Sequence, residues 1–172
     1  MKKIVFTLLI ASMLFSCKKD DDGNTEISLD GTWRLTAFTT ENAYDLNEDG
    51  TSSNDVIAET GCYQNETLVF NSDNTGTATT RSFADISLEL VTGSTTEYEY
   101  SVECIQETDD TAITWTQTGN TVVVSGLGVA YTGTVAGSTL TITIPSGFIV
   151  EVVEGSGTGF TTEDITFEYT KQ

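Results

Sequence analysis

The chain has 172 residues, of which 26 are acidic, 7 basic and none histidine, for a formal charge of −19. A polyanion of this size repels nucleic acid and anionic lipid headgroups, so no nucleic-acid partner is expected. Without histidine, Ser-His-Asp and Cys-His catalysis, His-ligated zinc and the usual general base near neutral pH are all missing, and the chain reads as no enzyme.

Met1-Lys2-Lys3 is a short basic head and residues 4–15 are an apolar run, the pattern of a secretory signal. The run is shorter than the about 20 apolar residues that a spanning helix needs. Leu14-Phe15-Ser16-Cys17 resembles the bacterial lipobox. That resemblance implies that residues 1–16 are removed and that Cys17 is lipidated as the first residue of the mature protein. Five basic residues then remain against the 26 acidic ones, a formal charge of −21. The two acyl chains of such a group suffice for stable membrane anchoring. Residues 17–28 are polar and charged and read as a flexible tether between lipid and domain. Lys18-Lys19-Asp20-Asp21-Asp22 also resembles the surface-export signal of lipoproteins from the Bacteroidetes phylum. The expected location is the bacterial outer membrane, at the cell surface or on the periplasmic face.

From residue 29 to 172 the composition is that of a single β domain: Thr-rich, with Val, Ile and scattered Gly, and only Pro145. Trp33, Leu35 and Ala37 alternate with polar residues in a first strand. Asp45-x-Asn47-x-Asp49-Gly50 then places oxygen donors at positions one, three and five with Gly at six, the first half of a calcium loop. Thr51 offers a carbonyl at seven and Asp55 a carboxylate near the end, while position twelve is Val56. Two readings stand: a weak calcium site that stiffens residues 45–59, and an Asx-rich turn that needs no metal.

Cys62 and Cys104 are the two cysteines left if Cys17 carries lipid. Outside the cytoplasm they read as a disulfide, closing a loop of about forty residues and contributing roughly 4 kcal/mol in the chain-entropy model. Free thiols, or one catalytic thiol, are the competing reading; no histidine is present to lower a thiol pKa.

Further strands are read at Leu68 and Phe70, over 77–83, at Tyr98, Tyr100 and Val102, at Ile113 and Trp115, over 122–124, over 131–135, at Leu140, Ile142 and Ile144, and at Ile165, Phe167 and Tyr169. Residues 84–91 fit a short helix or a strand, and 155–159 read as a loop. Turn signals at Ser72-Asp73-Asn74-Thr75-Gly76, Thr118-Gly119-Asn120 and Ala136-Gly137-Ser138 join neighbours as hairpins. The expected fold is all-β: an antiparallel up-and-down β-barrel of about 8–9 strands, which closes its own edges. Leu35, Phe70, Tyr100, Trp115, Val123, Ile142 and Phe167 are expected to point inward.

Leu29-Asp30-Gly31-Thr32-Trp33 opens this domain, and its Gly-x-Trp resembles the lipocalin signature. Together with Asp45 to Gly50, Cys62 and Glu66-Thr67-Leu68-Val69-Phe70-Asn71-Ser72-Asp73, it resembles the lipocalin-like lipoproteins of Bacteroidetes. The resemblance implies a lipocalin-like barrel plugged at one end by Trp33. It departs from the lipocalin pattern in two places: the Thr-Asp-Tyr step is missing, and Arg34 and Arg81 are the only arginines, neither placed near the end of the chain to pack on that ring.

Three functional readings follow. The first is a noncatalytic envelope lipoprotein whose barrel mouth takes a small apolar or lipid-like ligand, with Tyr98, Tyr100, Trp115 and Tyr131 as candidate contacts. The second is a barrel filled with side chains, engaging an envelope protein or polysaccharide through its surface. The third, an acid/base enzyme, would need paired carboxylates. Asp109-Asp110, Glu163-Asp164, and Glu151 with Glu154 fall at turns or strand ends and read as solvated rim.

Overall fold

Threonine-rich alternation becomes antiparallel ladders throughout the computed structural model, which describes residues 27–95, 98–154 and 157–172. Eight strands close into one barrel: β1 (Gly31–Tyr44), β3 (Thr67–Phe70), β4 (Thr75–Thr80), β7 (Asp109–Thr118), β8 (Thr121–Gly126), β9 (Val129–Ala136), β10 (Thr139–Glu154) and β11 (Gly157–Lys171). Closure comes from β11 pairing back onto β1, from Trp33 opposite Lys171 to Thr40 opposite Ile165. A ninth strand, β2 (Ser53–Asp55), adds to the far half of β1. The closed all-β barrel matches the expectation, and closure removes the open edges that would otherwise template aggregation.

The inner face follows the register. Trp33 faces Leu68, Leu68 faces Ala78, Gly76 faces Ile113, Trp115 faces Val124, Val122 faces Gly133, and Leu140 faces Val135 and Tyr169. These residues form the main buried cluster, with Leu29 added from the segment before β1. Gly133 is required here by close approach: a Cβ would lie 2.5 Å from the Thr141 carbonyl oxygen and 2.8 Å from Ile142.

Several sequence expectations are corrected. Val123 does not point inward; Val122 and Val124 are buried and Val123 takes the outer face opposite Thr116 and Thr132. Three consecutive valines carry no alternation, so their phase was invisible. Ala37 is displaced by a β-bulge between Leu35 and Ala37, which moves the inward phase to Phe38 and Thr40. The strand expected over 77–83 ends at Thr80, and Phe83 opens a different strand. Of the two readings of residues 84–91, strand holds for all but Val91: β5 (Phe83–Leu90) pairs with β6 (Tyr98–Ile105) in a separate two-stranded sheet. Tyr100 therefore lies in that hairpin and not on the barrel's inner wall. Gly157 to Gly159 are not loop; they pair with Val152 to Glu154 and extend the β10–β11 ladder. One five-residue helix, α1 (Val56–Thr60), begins at the Asp55 cap and ends at Gly61, whose φ of 68° suits glycine.

The β5–β6 hairpin is inserted where β4 leaves the barrel and β7 enters it, at the end opposite Trp33. A disulfide and a buried carboxylate help to hold it. Cys62, just after α1, is disulfide-bonded to Cys104 of β6. The buried Glu66 carboxylate accepts from the Arg81 and Ser82 backbone N–H groups, which fixes the link between β4 and β5.

Candidate functional site

The barrel is closed at one end and hollow toward the other. Trp33 is fully buried at the closed end, where its Nε1–H donates to the Leu29 carbonyl at 2.7 Å and its ring meets Phe70 edge-on at 6.5 Å. Phe70 in turn meets Trp115 at 5.6 Å, and Trp115 Nε1–H is shared between the Asn71 and Thr75 carbonyls. The cation on the Trp33 ring is Lys171, the last residue of β11: its Nζ sits 5.5 Å from the ring centroid and donates to the Ser28 carbonyl at 2.6 Å. Ile27 packs on the same core and its carbonyl accepts from Gln117, so residues 27 and 28 join the barrel floor instead of the tether.

Above this floor lies a cavity of about 310 Å³, walled by inner-face residues of seven of the eight barrel strands. Leu68, Ile113, Val124, Ile142 and Phe167 make its apolar wall. Glycine at 126 and alanine at 78 leave the space that larger side chains would occupy. Leu127, 87% exposed at the β8–β9 turn, stands at the mouth with the half-exposed Val129 and Tyr131. Among the described residues no charged side chain lines the cavity. Its hydroxyls are those of Tyr131 at the rim, Tyr169 within, and Thr111, which donates to Asp109.

Of the four aromatic residues expected to contact a ligand, Tyr131 lines this cavity and Trp115 lies in the floor beneath it. Tyr100 meets Tyr44 edge-on at 6.2 Å and is not part of the cavity lining, and the Tyr98 side chain lies outside the described residues. Phe167 was legible from alternation in the last strand. Tyr169 belongs to the same alternation, but nothing in sequence separated a cavity tyrosine from a core one.

The acidic loop is built by its own backbone. Asp45 accepts from the Asp49 and Gly50 N–H groups, Asn47 from Asp49, and Asp49 from Thr51, all at 2.8–3.0 Å. Asp55 is turned to a different task, capping α1 through the Ile57 and Ala58 N–H groups. Glu59, buried, accepts from the Leu46 N–H and ties the loop to α1. Among the described residues no group of three or more His, Cys, Asp or Glu side chains is placed to hold a metal ion. The calcium reading thus rests on the sequence pattern alone.

Glu163 is not solvated rim, as its pairing with Asp164 had suggested; it is buried on the inner phase of β11. Its carboxylate accepts from the Asn42 N–H at 3.1 Å, from Asn42 Nδ2 at 2.7 Å and from the Tyr44 hydroxyl. Neighbouring Asp164 accepts from the Ser146 N–H where Pro145 interrupts the ladder. The side chains of Glu151 and Glu154 lie outside the described residues. Asp109 and Asp110 are exposed and accept from Thr111 and Thr79. Burial alone would raise the Glu163 pKa, but its hydrogen bonds outweigh burial and hold it below the ordinary carboxylate range. Burial and this carboxylate together push the Tyr44 hydroxyl well up. A depressed folded-state pKa stabilises above the unfolded value of about 4.3, and that contribution disappears as pH falls through the folded value. Glu163→Gln is expected to cost about 1.5–3 kcal/mol at pH 7, with the gap from wild type narrowing as pH is lowered toward 3. Urea unfolding at a series of pH values checks this; a gap independent of pH would contradict it.

A family model described as a domain of unknown function, DUF5004, matches residues 16–124, more than half of the chain. The chain belongs to that family. The DUF5004 match takes in β1 through most of β8, so the strands that complete the barrel lie beyond the matched stretch. No curated protein and no solved structure matches the chain. Among the described residues no helix is long and apolar enough to cross a membrane. Cys17 and residues 1–16 lie outside the described residues.

Proposed function

We propose that this DUF5004 protein is a noncatalytic, lipid-anchored envelope lipoprotein whose lipocalin-like barrel holds a small apolar ligand. The observation that carries the reading is the 310 Å³ apolar cavity inside a closed barrel, open at a rim of exposed Leu127 and Val129. An apolar cavity of roughly 150 Å³ is already large enough to take benzene, so this one accommodates about two fused rings or a comparable alkyl group. The anchor reading rests on the basic head, the short apolar run and Cys17. The absence of histidine supports a binding role over catalysis. The alternative, a barrel filled with side chains that works only through its surface, fits less well with a hollow walled by seven strands.

Naphthalene is the test ligand. Calorimetric titration is expected to give one site per chain. Ala78→Leu, which adds three carbons to the inner wall, is expected to weaken binding at least tenfold while changing stability by less than about 1.5 kcal/mol. Undetectable binding to the wild type, or equal binding by a folded Ala78→Leu variant, would remove the cavity from consideration as a ligand site.

A further inference from the structure

Tyr169 is the polar group that the barrel does not use. Its ring packs on the main core and lines the cavity, at the position on β11 that pairs with Leu35 and Leu140. Its hydroxyl makes no hydrogen bond to a described residue, and no described side-chain oxygen is both buried and unpaired, so this hydroxyl reaches the open space of the cavity. A hydroxyl that opens into a cavity takes its partner from whatever fills that cavity, water or a ligand atom. The other cavity hydroxyls differ: Thr111 is committed to Asp109, and Tyr131 sits in the half-exposed rim within reach of water.

Charge decides what that partner is. Burial, with the nearby Glu66 carboxylate, pushes the Tyr169 pKa up to about 12, so the phenol keeps its proton at every physiological pH and acts as a donor. Among the described residues the lining holds no cation, and the charge felt at the hydroxyl, that of Glu66, is negative. An anionic ligand would be desolvated here with nothing to pair it, at large cost. We propose that the cavity selects an uncharged apolar molecule bearing one acceptor, a ketone, ester or ether oxygen, and that Tyr169 donates the hydrogen bond that orients it. A fatty acid in its carboxylate form is excluded by the same chemistry. This inference rests on the cavity being the ligand site.

Three probes of one ring size separate the two claims: naphthalene, 2-acetylnaphthalene and 2-naphthoate, titrated against the intact domain at pH 7.5. The wild type is expected to bind the ketone three- to tenfold tighter than naphthalene, the worth of one net hydrogen bond. It is expected to bind the carboxylate at least tenfold more weakly than naphthalene. Tyr169→Phe is expected to keep naphthalene affinity and to abolish the preference for the ketone. The carbonyl stretch of bound 2-acetylnaphthalene is expected to shift to lower frequency in the wild type; this measurement needs no variant. Binding of naphthalene with no ketone preference, or with an unshifted carbonyl, would overturn the role of Tyr169 and leave the cavity site standing. Preferential binding of the carboxylate would overturn the selectivity. Failure of all three probes to bind would sink the cavity reading itself, and this inference with it.

Discussion

Replacing Trp33 by alanine is expected to lower the unfolding free energy by about 3–5 kcal/mol, the range for deleting a fully buried aromatic residue. Three losses combine at this position. The ring leaves a hole beside Phe70 at the closed end of the barrel. The Leu29 carbonyl loses the indole donor, and Lys171 loses the ring face on which it rests. Since domains of this size have a total stability of roughly 5–15 kcal/mol, the variant will sit close to unfolding at physiological temperature. Trp33→Phe keeps an aromatic face but not the indole N–H, and is expected to lose about 1–2 kcal/mol. Urea denaturation measures both. A cost below about 1 kcal/mol for the alanine variant would mean that the floor is not sealed by this residue.

The second large effect is expected at the disulfide. Cys62 and Cys104 are 42 residues apart, and in the chain-entropy model a loop of that length gives about 4 kcal/mol of stabilisation. The double variant Cys62→Ala, Cys104→Ala is expected to lose about that much. The local consequence is more specific. Among the described residues β5 and β6 pair with each other and with no barrel strand, so the hairpin's attachment relies on the disulfide and the Glu66 clamp, with the Tyr44–Tyr100 ring contact beside them. In the double variant, amide exchange across β5 and β6 is expected to accelerate well beyond that of β8 and β9. Equal acceleration across all strands would show that the crosslink acts only on the unfolded chain.

The barrel was legible because its physics is local. Thr alternates with Leu or Ile over 139–144 and 165–170, and the hairpin turns at 118–120 and 136–138 carry the glycines that positive φ requires. Gly31 and Trp33 marked the closed end. What failed was long-range or phase-dependent. The bulge after Leu35 leaves no mark in composition, yet it exchanges Ala37 for Phe38 on the inner face. Glu163 looks like any acid at a strand end; its burial depends on Asn42 and Tyr44, more than a hundred residues away. The cation on Trp33 is not an arginine but Lys171, from the end of β11. Of the site, the inward phase of Ile142 and Phe167 was readable. The hollow itself was not, because it is lined by small residues, Ala78 of β4 and Gly126 of β8, which the sheet places on either side of β7 from distant parts of the sequence.

Xenon reports an apolar hollow at the barrel centre directly. A crystal of the domain pressurised with xenon is expected to show the gas bound between Ile113, Val124 and Ile142. A barrel centre filled by side chains, with no xenon between those three residues, would contradict it.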